Sequence, residues 1–267
     1  MIERLSACLA LAAALVLASC GGGTVETAPA KRQQKKEATL VRTPLFSADS
    51  AYAFVERQVA FGNRVPNSAG HRQCGDYLIG QLEAFGAAVT VQEARVKAYD
   101  GTNLDIRNIF GAFNPREKRR ILLYAHWDTR PYADKDSVRT KEPIDGANDG
   151  ASGVGVLLEL ARIMSDSLPK VGVDIAFFDA EDYGEPEWLP NRDSDYTDWC
   201  LGSQYWARKP HIPGYRAKYG ILLDMVGAKG AVFHREGTSM ALAPAIVEKV
   251  WTTARQLGHA DLFRNRV

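Results

Sequence analysis

The sequence has no excess of charge of either sign. Its 33 Lys and Arg residues stand against 32 Asp and Glu residues, which gives a net charge of +1 over 267 residues. This balance provides no electrostatic reason to expect nucleic acid or an anionic membrane surface as a partner. The sequence also lacks a repeat of fixed period, which argues against solenoids and propellers. A composition that is 46% hydrophobic and 24% charged is typical of a globular protein with a sizeable core.

Long apolar runs are scarce as well. The marked one lies in residues 1–20, and it has the length of a signal peptide rather than of a transmembrane helix. It ends in Leu-Ala-Ser followed by Cys20, which resembles the cleavage signal of bacterial lipoproteins, whose cysteine carries the lipid. We therefore predict a lipoprotein signal peptide over residues 1–20, a lipid anchor on Cys20, and a place in the cell envelope, at the outer membrane or facing the periplasm. An ordinary secretory peptide with a chance cysteine is the alternative.

Cysteine is rare in the rest of the chain. Cys8 leaves with the predicted signal peptide, and beyond the anchor only Cys74 and Cys200 remain. An exported protein could join these two in a disulfide, and two buried free thiols are the equal alternative. Residues 21–45 contain glycines, prolines and a basic cluster without apolar periodicity, so we predict a flexible tether there and a globular domain over residues 46–267.

Strand and helix patterns alternate along the predicted domain. The alternation predicts an α/β fold, a three-layer sandwich with a central, mostly parallel mixed sheet and helices on both faces. Helical spacing of apolar residues occurs over 50–59, 69–86, 151–164, 201–207 and 240–257, and strand patterns occur over 89–96, 104–113, 121–125, 173–178 and 221–226. The last of these strands is predicted to be buried, as are the two before it.

Polar side chains stand at the ends of the last three strands. Functional groups of such sheets collect at the carboxyl ends of parallel strands, which share one edge, so we expect these side chains to lie close together. They are His126, Asp128, Glu181, Asp182 and Asp224.

The glycine-rich stretch 146–153 adds a further carboxylate, Asp149, directly before a helix. Imidazole nitrogen and carboxylate oxygen are donors that zinc accepts, and catalytic zinc sites keep one coordination position open. We predict Asp149 and Asp182 as zinc ligands, with the adjacent Glu181 left free for proton transfer. Each group alone has an ordinary explanation: Asp149 as a helix cap, Asp182 as a loop acid, and His126 as a core histidine. Their joint occurrence at successive strand ends favours a metal site.

These motifs resemble those of a known enzyme family. In this order they are similar to the zinc exopeptidase superfamily, and most closely to its bacterial glutaminyl-peptide cyclotransferase branch, over roughly residues 47–262. The motifs are His-Trp-Asp at 126–128, Gly-Ala-Asn-Asp-Gly-Ala-Ser-Gly at 146–153, Phe-Phe-Asp-Ala-Glu-Asp at 177–182, and Leu-Leu-Asp-Met-Val-Gly at 222–227.

The resemblance implies an α/β fold with one zinc ion. Asp149 and Asp182 would be two of its ligands. Glu181 would be the general acid/base, and Asp224 a supporting catalytic acid. Relatives with two zinc ions use the counterparts of His126 and Asp224 for the second metal, so the resemblance leaves one or two ions open. With one ion, His126 would lie behind the ligands and would not bind the metal itself.

The family's last zinc ligand is a histidine near the C-terminus, after a further strand. His211, His234 and His259 do not match its motif, and each is predicted to be a surface residue. The resemblance thus implies a C-terminally truncated chain without the closing strand and helix, whose third ligand lies beyond residue 267. We expect such a chain to hold metal poorly.

The implied activity is that of an acyltransferase that converts the N-terminal glutamine of peptides and proteins to pyroglutamate and releases ammonia. Trp188, in the loop after the acids, would wall the glutamine side chain, with loop packing as the alternative. We expect a monomer that binds no nucleic acid and touches the membrane only through the lipid on Cys20. Two other functions stay open: a two-zinc aminopeptidase, in which Glu181 activates water, and a non-catalytic surface lipoprotein that binds peptides or glycans.

Overall fold

The structure, a computed structural model, describes residues 43–189 and 197–267. The predicted signal peptide, the Cys20 anchor and nearly all of the predicted tether lie outside these residues. Within the described ranges, no helix combines the length and the apolar character needed to span a lipid bilayer.

A five-stranded sheet forms the centre of the fold, and it is mixed, as predicted, although parallel pairs do not predominate in it. Its strand order is β1-β2-β4-β3-β5, with two antiparallel pairs (β1–β2 and β2–β4) and two parallel pairs (β4–β3 and β3–β5). The strands are β1 Ala88–Lys97, β2 Asn103–Phe113, β3 Arg120–His126, β4 Gly172–Phe178 and β5 Gly220–Leu222. Every residue of β4 is buried, as expected of an apolar strand with neighbours on both edges and helices on both faces.

The prediction of a buried strand over residues 221–226 is wrong. Strand β5 has three residues, and Leu222 is 47% exposed. The strand pairs with β3 along one edge, and in the described part of the chain no strand covers its other edge. An apolar run alone cannot distinguish a central strand from an edge strand, because both have the same local pattern.

Helices cover both faces of the sheet, which confirms the sandwich. The helices of the described residues are α1 Ala48–Val59, α2 Ala69–Ala84, α3 Ala151–Asp166, α4 Leu201–Arg208, α5 Gly237–Leu242 and α6 Pro244–Gln256. On one face, Leu78 of α2 and Leu157 of α3 pack with Ile175 of β4 in the main core. On the other face, Trp206 of α4 packs with Phe178 of β4. Full burial of each such side chain contributes about 1.5–3 kcal/mol.

The single helix predicted over 240–257 is two helices. The chain leaves the helical conformation at Ala243, and α6 then begins with Pro244. Proline suits the first position of a helix because it has no N–H to donate and its φ is already helical, whereas it breaks a helix interior. The break was therefore readable from the sequence.

Two further expectations concern histidine and cysteine. His211 is not a surface residue: it stacks on Phe110 with ring centroids 3.8 Å apart and accepts a hydrogen bond from the Trp206 indole at 2.9 Å. Burial lowers the pKa of His211, which suits a neutral acceptor. Cys74, inside α2, and Cys200, just before α4, are both free, so the disulfide alternative is wrong.

Candidate metal centre

Three potential metal ligands meet at the carboxyl end of the sheet. His126 ends β3, Asp182 follows β4, and Asp149 precedes α3. Each offers one ligand atom, and these atoms all lie within 4.8 Å of one another. His126 Nε2 is 3.0 Å from Asp149 Oδ1. Because residues 126 and 178 are directly paired in the parallel β3–β4 register, the segments after both strands emerge side by side.

Two more predicted site residues surround the same imidazole. The Glu181 Oε2 atom is 3.9 Å from His126 Nδ1, and the Asp224 Oδ1 atom is 3.5 Å from His126 Nε2. The structure therefore brings together five of the six side chains that are predicted from the sequence to take part in metal binding, catalysis or substrate binding. Trp188 lies apart: it is 41% exposed and packs edge to face on Tyr132, with ring centroids 5.1 Å apart.

The candidate histidines near the C-terminus do not join this group. His234 and His259 are exposed, as predicted. His211 packs with Phe110 and Trp206 on the face of the sheet that α4 covers. Among the described residues, His126 is the imidazole that completes a three-ligand group with Asp149 and Asp182.

Glycines allow Asp149 to approach the histidine. Gly150 has φ of 91°, and a Cβ there would lie 2.4 Å from the backbone oxygen of Asp128. At Gly153, in the first turn of α3, a Cβ would lie 2.1 Å from the backbone oxygen of Leu223. Only glycine tolerates both the left-handed backbone and such close contact. The glycine-rich turn thus lets the start of α3 press against the segments that follow β3 and β5.

Asp128 has a role that the sequence motif did not reveal. Its carboxylate is fully buried and accepts the backbone N–H groups of Glu181, at 3.0 Å, and of Asp182, at 3.1 Å. Its Oδ1 atom also lies 3.5 Å from His126 Nδ1. One carboxylate thereby fixes three site residues. Its place two residues after His126, on the same side of an extended chain, was the available signal.

Arg64 is a second residue that the sequence reasoning missed. Its fully buried guanidinium donates to the backbone oxygens of Trp127, Asp145 and Gly146 at 3.2, 2.8 and 2.7 Å. These contacts tie the end of the loop before Asp149 to the segment after β3. No local pattern marks them, because the partners are 63 to 82 positions apart in sequence.

The electrostatics of the site fit a divalent cation. Burial lowers the pKa of His126, but hydrogen bonds to Asp128, Asp149 and Asp224 outweigh this effect and raise it well above its usual value. Burial also raises the pKa of Glu181 to about 7 and that of Asp182 to about 8.

The hydrogen bonding leads to the same conclusion. Asp182 Oδ2 is buried and has no hydrogen-bond partner among the described residues. Crowded, buried carboxylates of this kind repel one another, and a bound cation relieves that repulsion. One imidazole nitrogen with two carboxylate oxygens is a donor set of the kind found in catalytic metal sites.

A cavity of about 670 Å³ opens beside the ligands. Asp149 and Asp182 line it together with the aromatic rings of Tyr132 and Trp199. The Arg130 guanidinium lies 4.5 Å from the Trp199 ring centroid and donates to the backbone oxygen of Asp182 at 3.0 Å. The two carboxylates form a polar floor and the aromatic rings form walls, so the cavity can receive a small polar group attached to a longer chain.

The chain is similar to solved structures of bacterial enzymes. The crystal structure of Bacteroides thetaiotaomicron glutaminyl cyclase bound to N-acetylhistamine is 54% identical, with a TM-score of 0.82, over 84% of this chain and 77% of that one. A leucine aminopeptidase precursor from the same organism is also 54% identical, with a TM-score of 0.83, over 85% of this chain and 79% of that one.

A curated relative is more distant. The Drosophila melanogaster glutaminyl-peptide cyclotransferase is 28% identical over 178 residues, which cover 64% of this chain and 46% of that protein. The matched part of the chain covers 38–46% of the length of this and two further curated relatives. The sequence model of "Peptidase family M28" matches residues 108–267, which include every member of the metal centre. The chain belongs to peptidase family M28.

Proposed function

We propose that this protein is a zinc-dependent glutaminyl-peptide cyclotransferase. The observation that carries the proposal is the position of Glu181, whose carboxylate lies at the imidazole of the three-ligand group without being one of the three ligands. Such a group is available for proton transfer beside a metal. The 54% identity with a solved bacterial glutaminyl cyclase supports the choice of reaction.

His126, Asp149 and Asp182 would hold the zinc ion. A zinc ion bound there would supply Lewis acidity to polarise the side-chain amide carbonyl of an N-terminal glutamine. Asp128 holds the backbone of the acidic turn, and Arg64 holds the loop before Asp149, so both ligand-bearing segments are fixed before substrate binds. Fixed ligands favour the transition state because little reorganisation is needed during the reaction.

Glu181 moves the proton in this scheme. The α-amino nitrogen of the substrate bonds to its own side-chain amide carbon, and the bond between that carbon and the amide nitrogen breaks. Glu181 accepts the proton that the amine loses and donates it to the leaving nitrogen, which departs as ammonia. Asp224, 3.5 Å from His126 Nε2 on the other side of the imidazole, orients the amine. The substrate carries its own nucleophile, so the protein mainly supplies geometry.

The cavity beside the ligands would enclose the glutamine side chain. Tyr132 and Trp199 provide its aromatic walls, and Trp188 extends this wall through its contact with Tyr132. In this arrangement Trp188 contacts the residues that follow glutamine rather than the glutamine itself, because it lies at the exposed side of Tyr132.

An aminopeptidase that uses two zinc ions is the second candidate. The observation that favours it is the 3.5 Å separation of His126 Nε2 and Asp224 Oδ1, which would allow these two groups to bind one ion while Asp149 and Asp182 bind the other. In that case Glu181 would take a proton from water and the peptide bond would be hydrolysed. A similar solved structure is that of a leucine aminopeptidase precursor.

One assay separates these functions. The full chain, loaded with zinc, is incubated with a peptide that begins with glutamine and with one that begins with leucine. Release of ammonia from the first, with a matching loss of peptide mass, is expected, while the second stays intact. Glu181→Gln should be inactive. Glu117→Gln, the same change at a partly exposed site near the opposite end of β3, should be fully active.

Other outcomes of the assay would reject the proposal. Free leucine would establish the aminopeptidase instead. Neither product from a zinc-loaded sample would favour the non-catalytic binding protein.

We also propose that the protein is a monomeric, exported lipoprotein of the cell envelope. The sequence of residues 1–20 and the cysteine at position 20 support this proposal. Its partners would be peptides and proteins with N-terminal glutamine, with no nucleic acid, and the lipid on Cys20 would make its only membrane contact. Radioactive palmitate should label the wild-type protein in a bacterial host and should not label Cys20→Ser. Equal labelling of both proteins would reject the anchor.

A further inference from the structure

A buried carboxylate outside the metal centre holds the start of the acidic turn. Asp179 directly follows β4 and is fully buried. It accepts the backbone N–H of Ala180 on Oδ1 at 2.7 Å and that of Arg107 on Oδ2 at 2.6 Å. The ring of His71 adds its Nε2 atom, 2.8 Å from Oδ2 and 3.0 Å from Oδ1. Asp179 therefore joins the turn to strand β2 and to helix α2.

His71 is itself held in a defined orientation. It lies in the first turn of α2, where its backbone N–H is bound by the Ser68 cap at 3.1 Å. Its ring stacks on Trp127 with centroids 4.4 Å apart and an interplanar angle of 11°. Trp127 stands between the site residues His126 and Asp128 in sequence. The imidazole is thus fixed by the helix on one side and by the site-bearing segment on the other.

The turn after Asp179 needs such support. Ala180 has φ of 49°, the left-handed conformation, which is unfavourable for a residue with a Cβ. Strained conformations of this kind persist when surrounding contacts fix them. Here the left-handed residue reverses the chain so that Glu181 faces His126. Relaxation of Ala180 would shift Glu181, although its N–H and that of Asp182 are bound to Asp128, and would so displace the Glu181 carboxylate.

We propose that His71 and Asp179 form a positioning pair that holds the strained turn at Ala180 and so sets the place of the Glu181 carboxylate. Neither residue belongs to the three-ligand group or lines the 670 Å³ cavity, and Asp179 lines only a smaller cavity of about 230 Å³ that also contacts His126 and Glu181. The pair acts through the backbone of the turn. The catalytic consequence rests on the proposed function, since it takes Glu181 as the proton-transfer group.

The main test compares three variants of the full, zinc-loaded chain. His71→Phe keeps a ring on Trp127 but removes the donor to Asp179, and His71→Gln restores a donor. Tyr215→Phe is the matched control, because it removes one hydrogen bond, 2.8 Å long, to another buried carboxylate, Asp174, near the start of the same strand.

Turnover of the glutamine peptide should separate positioning from stability. For His71→Phe we expect kcat to fall about 10- to 100-fold, because displacement by about 1 Å has such an effect. KM and the zinc dissociation constant should change less than about threefold, since substrate and metal ligands are not touched. His71→Gln should recover most of kcat. Tyr215→Phe should lower Tm similarly and keep kcat.

Hydrogen exchange tests the same inference without turnover. In His71→Phe, exchange in the peptide spanning residues 178–186 should speed up in zinc-free protein, while the rest of the sheet stays protected. Tyr215→Phe should leave this peptide unchanged. If the wild-type protein releases no ammonia, the proposed function fails, and the exchange experiment still decides whether the pair holds the turn.

Several results would overturn the positioning role. They are a wild-type kcat in His71→Phe, a loss of kcat equal to that of the control, or unchanged exchange in the turn. If His71→Phe does not fold, Asp179→Asn takes its place, because the amide keeps the shape of the side chain but loses one of its two acceptors. The same criteria then apply to that variant.

Discussion

Replacement of Arg64 by methionine should destabilise the protein far more than the loss of an exposed arginine. Methionine keeps the apolar part of the side chain but removes the donor to the backbone oxygens of Trp127 and Asp145, while the oxygen of Gly146 keeps the backbone N–H of Ala151 at 3.1 Å. Each buried carbonyl left in this way costs about 1–3 kcal/mol. Burial lowers the pKa of Arg64, because it disfavours the charged form of the guanidinium. Replacing the buried charge by methionine therefore recovers part of the lost stability. We expect a net loss of about 2–4 kcal/mol from the free energy of unfolding.

Urea unfolding measures this loss, with Arg95→Met as the control. Arg95 makes a bidentate ion pair with Asp105, but both side chains are about two-thirds exposed, so its removal should leave the unfolding midpoint almost unchanged. Arg64→Lys should recover only part of the stability, because an ammonium cannot reach three diverging carbonyls. A loss of less than about 1 kcal/mol in Arg64→Met would refute the reasoning, since it would mean that the loop before Asp149 satisfies its own backbone.

Three further predictions concern metal, thiols and pH. Zinc at 100 times its dissociation constant should stabilise the wild-type protein by about 2.7 kcal/mol, and chelator should reverse this. Asp149→Asn should show no such shift in Tm, and an equal shift would remove Asp149 from the ligand group. Burial raises the pKa values of Cys74 and Cys200 to about 12, so iodoacetamide at pH 8 should modify neither in the folded protein and both in urea, as read by peptide mass. Rapid labelling of the folded protein would contradict this.

Burial raises the pKa of Asp134, but its bonds to Arg130 and to the Glu187 N–H hold that pKa below its usual value. Its stabilising effect is therefore present above about pH 4 and is lost as the pH falls through the lowered value. The difference in unfolding free energy between wild type and Asp134→Asn should be larger at pH 6 than at pH 3. A constant difference would refute this explanation.

Much of the site could be predicted because its members stand at strand ends. His126, Glu181 and Asp182 follow apolar runs that form neighbouring parallel strands, and geometry then requires them to meet. Asp149 could be placed because a glycine-rich turn before a helix leaves few conformations. The sequence placed His126 near these carboxylates but did not make it a ligand of the same ion as Asp149 and Asp182, because the resemblance pointed to a third ligand beyond the C-terminus.

The remaining features depend on contacts between distant segments. Arg64 and the His71–Asp179 pair have no local signature, because their partners are 63 to 108 positions away. The stacking of His211 on Phe110 and the exposure of β5 are likewise set by what packs against them. Apolar periodicity reports which face of an element is buried, but not which element covers it.

The strand order has a consequence for how the protein acquires its structure. Strands β2 and β3 are consecutive in sequence, yet they are separated in the sheet by β4, which comes some 46 positions after β3. A nascent chain can form the β1–β2 hairpin early, but β3 has no partner until residue 178 has been made. Assembly of the sheet centre is therefore a late, long-range step, and such steps are slow. During that interval β2 and β3 expose apolar side chains and unpaired backbone edges, and holdase chaperones recognise surfaces of this kind.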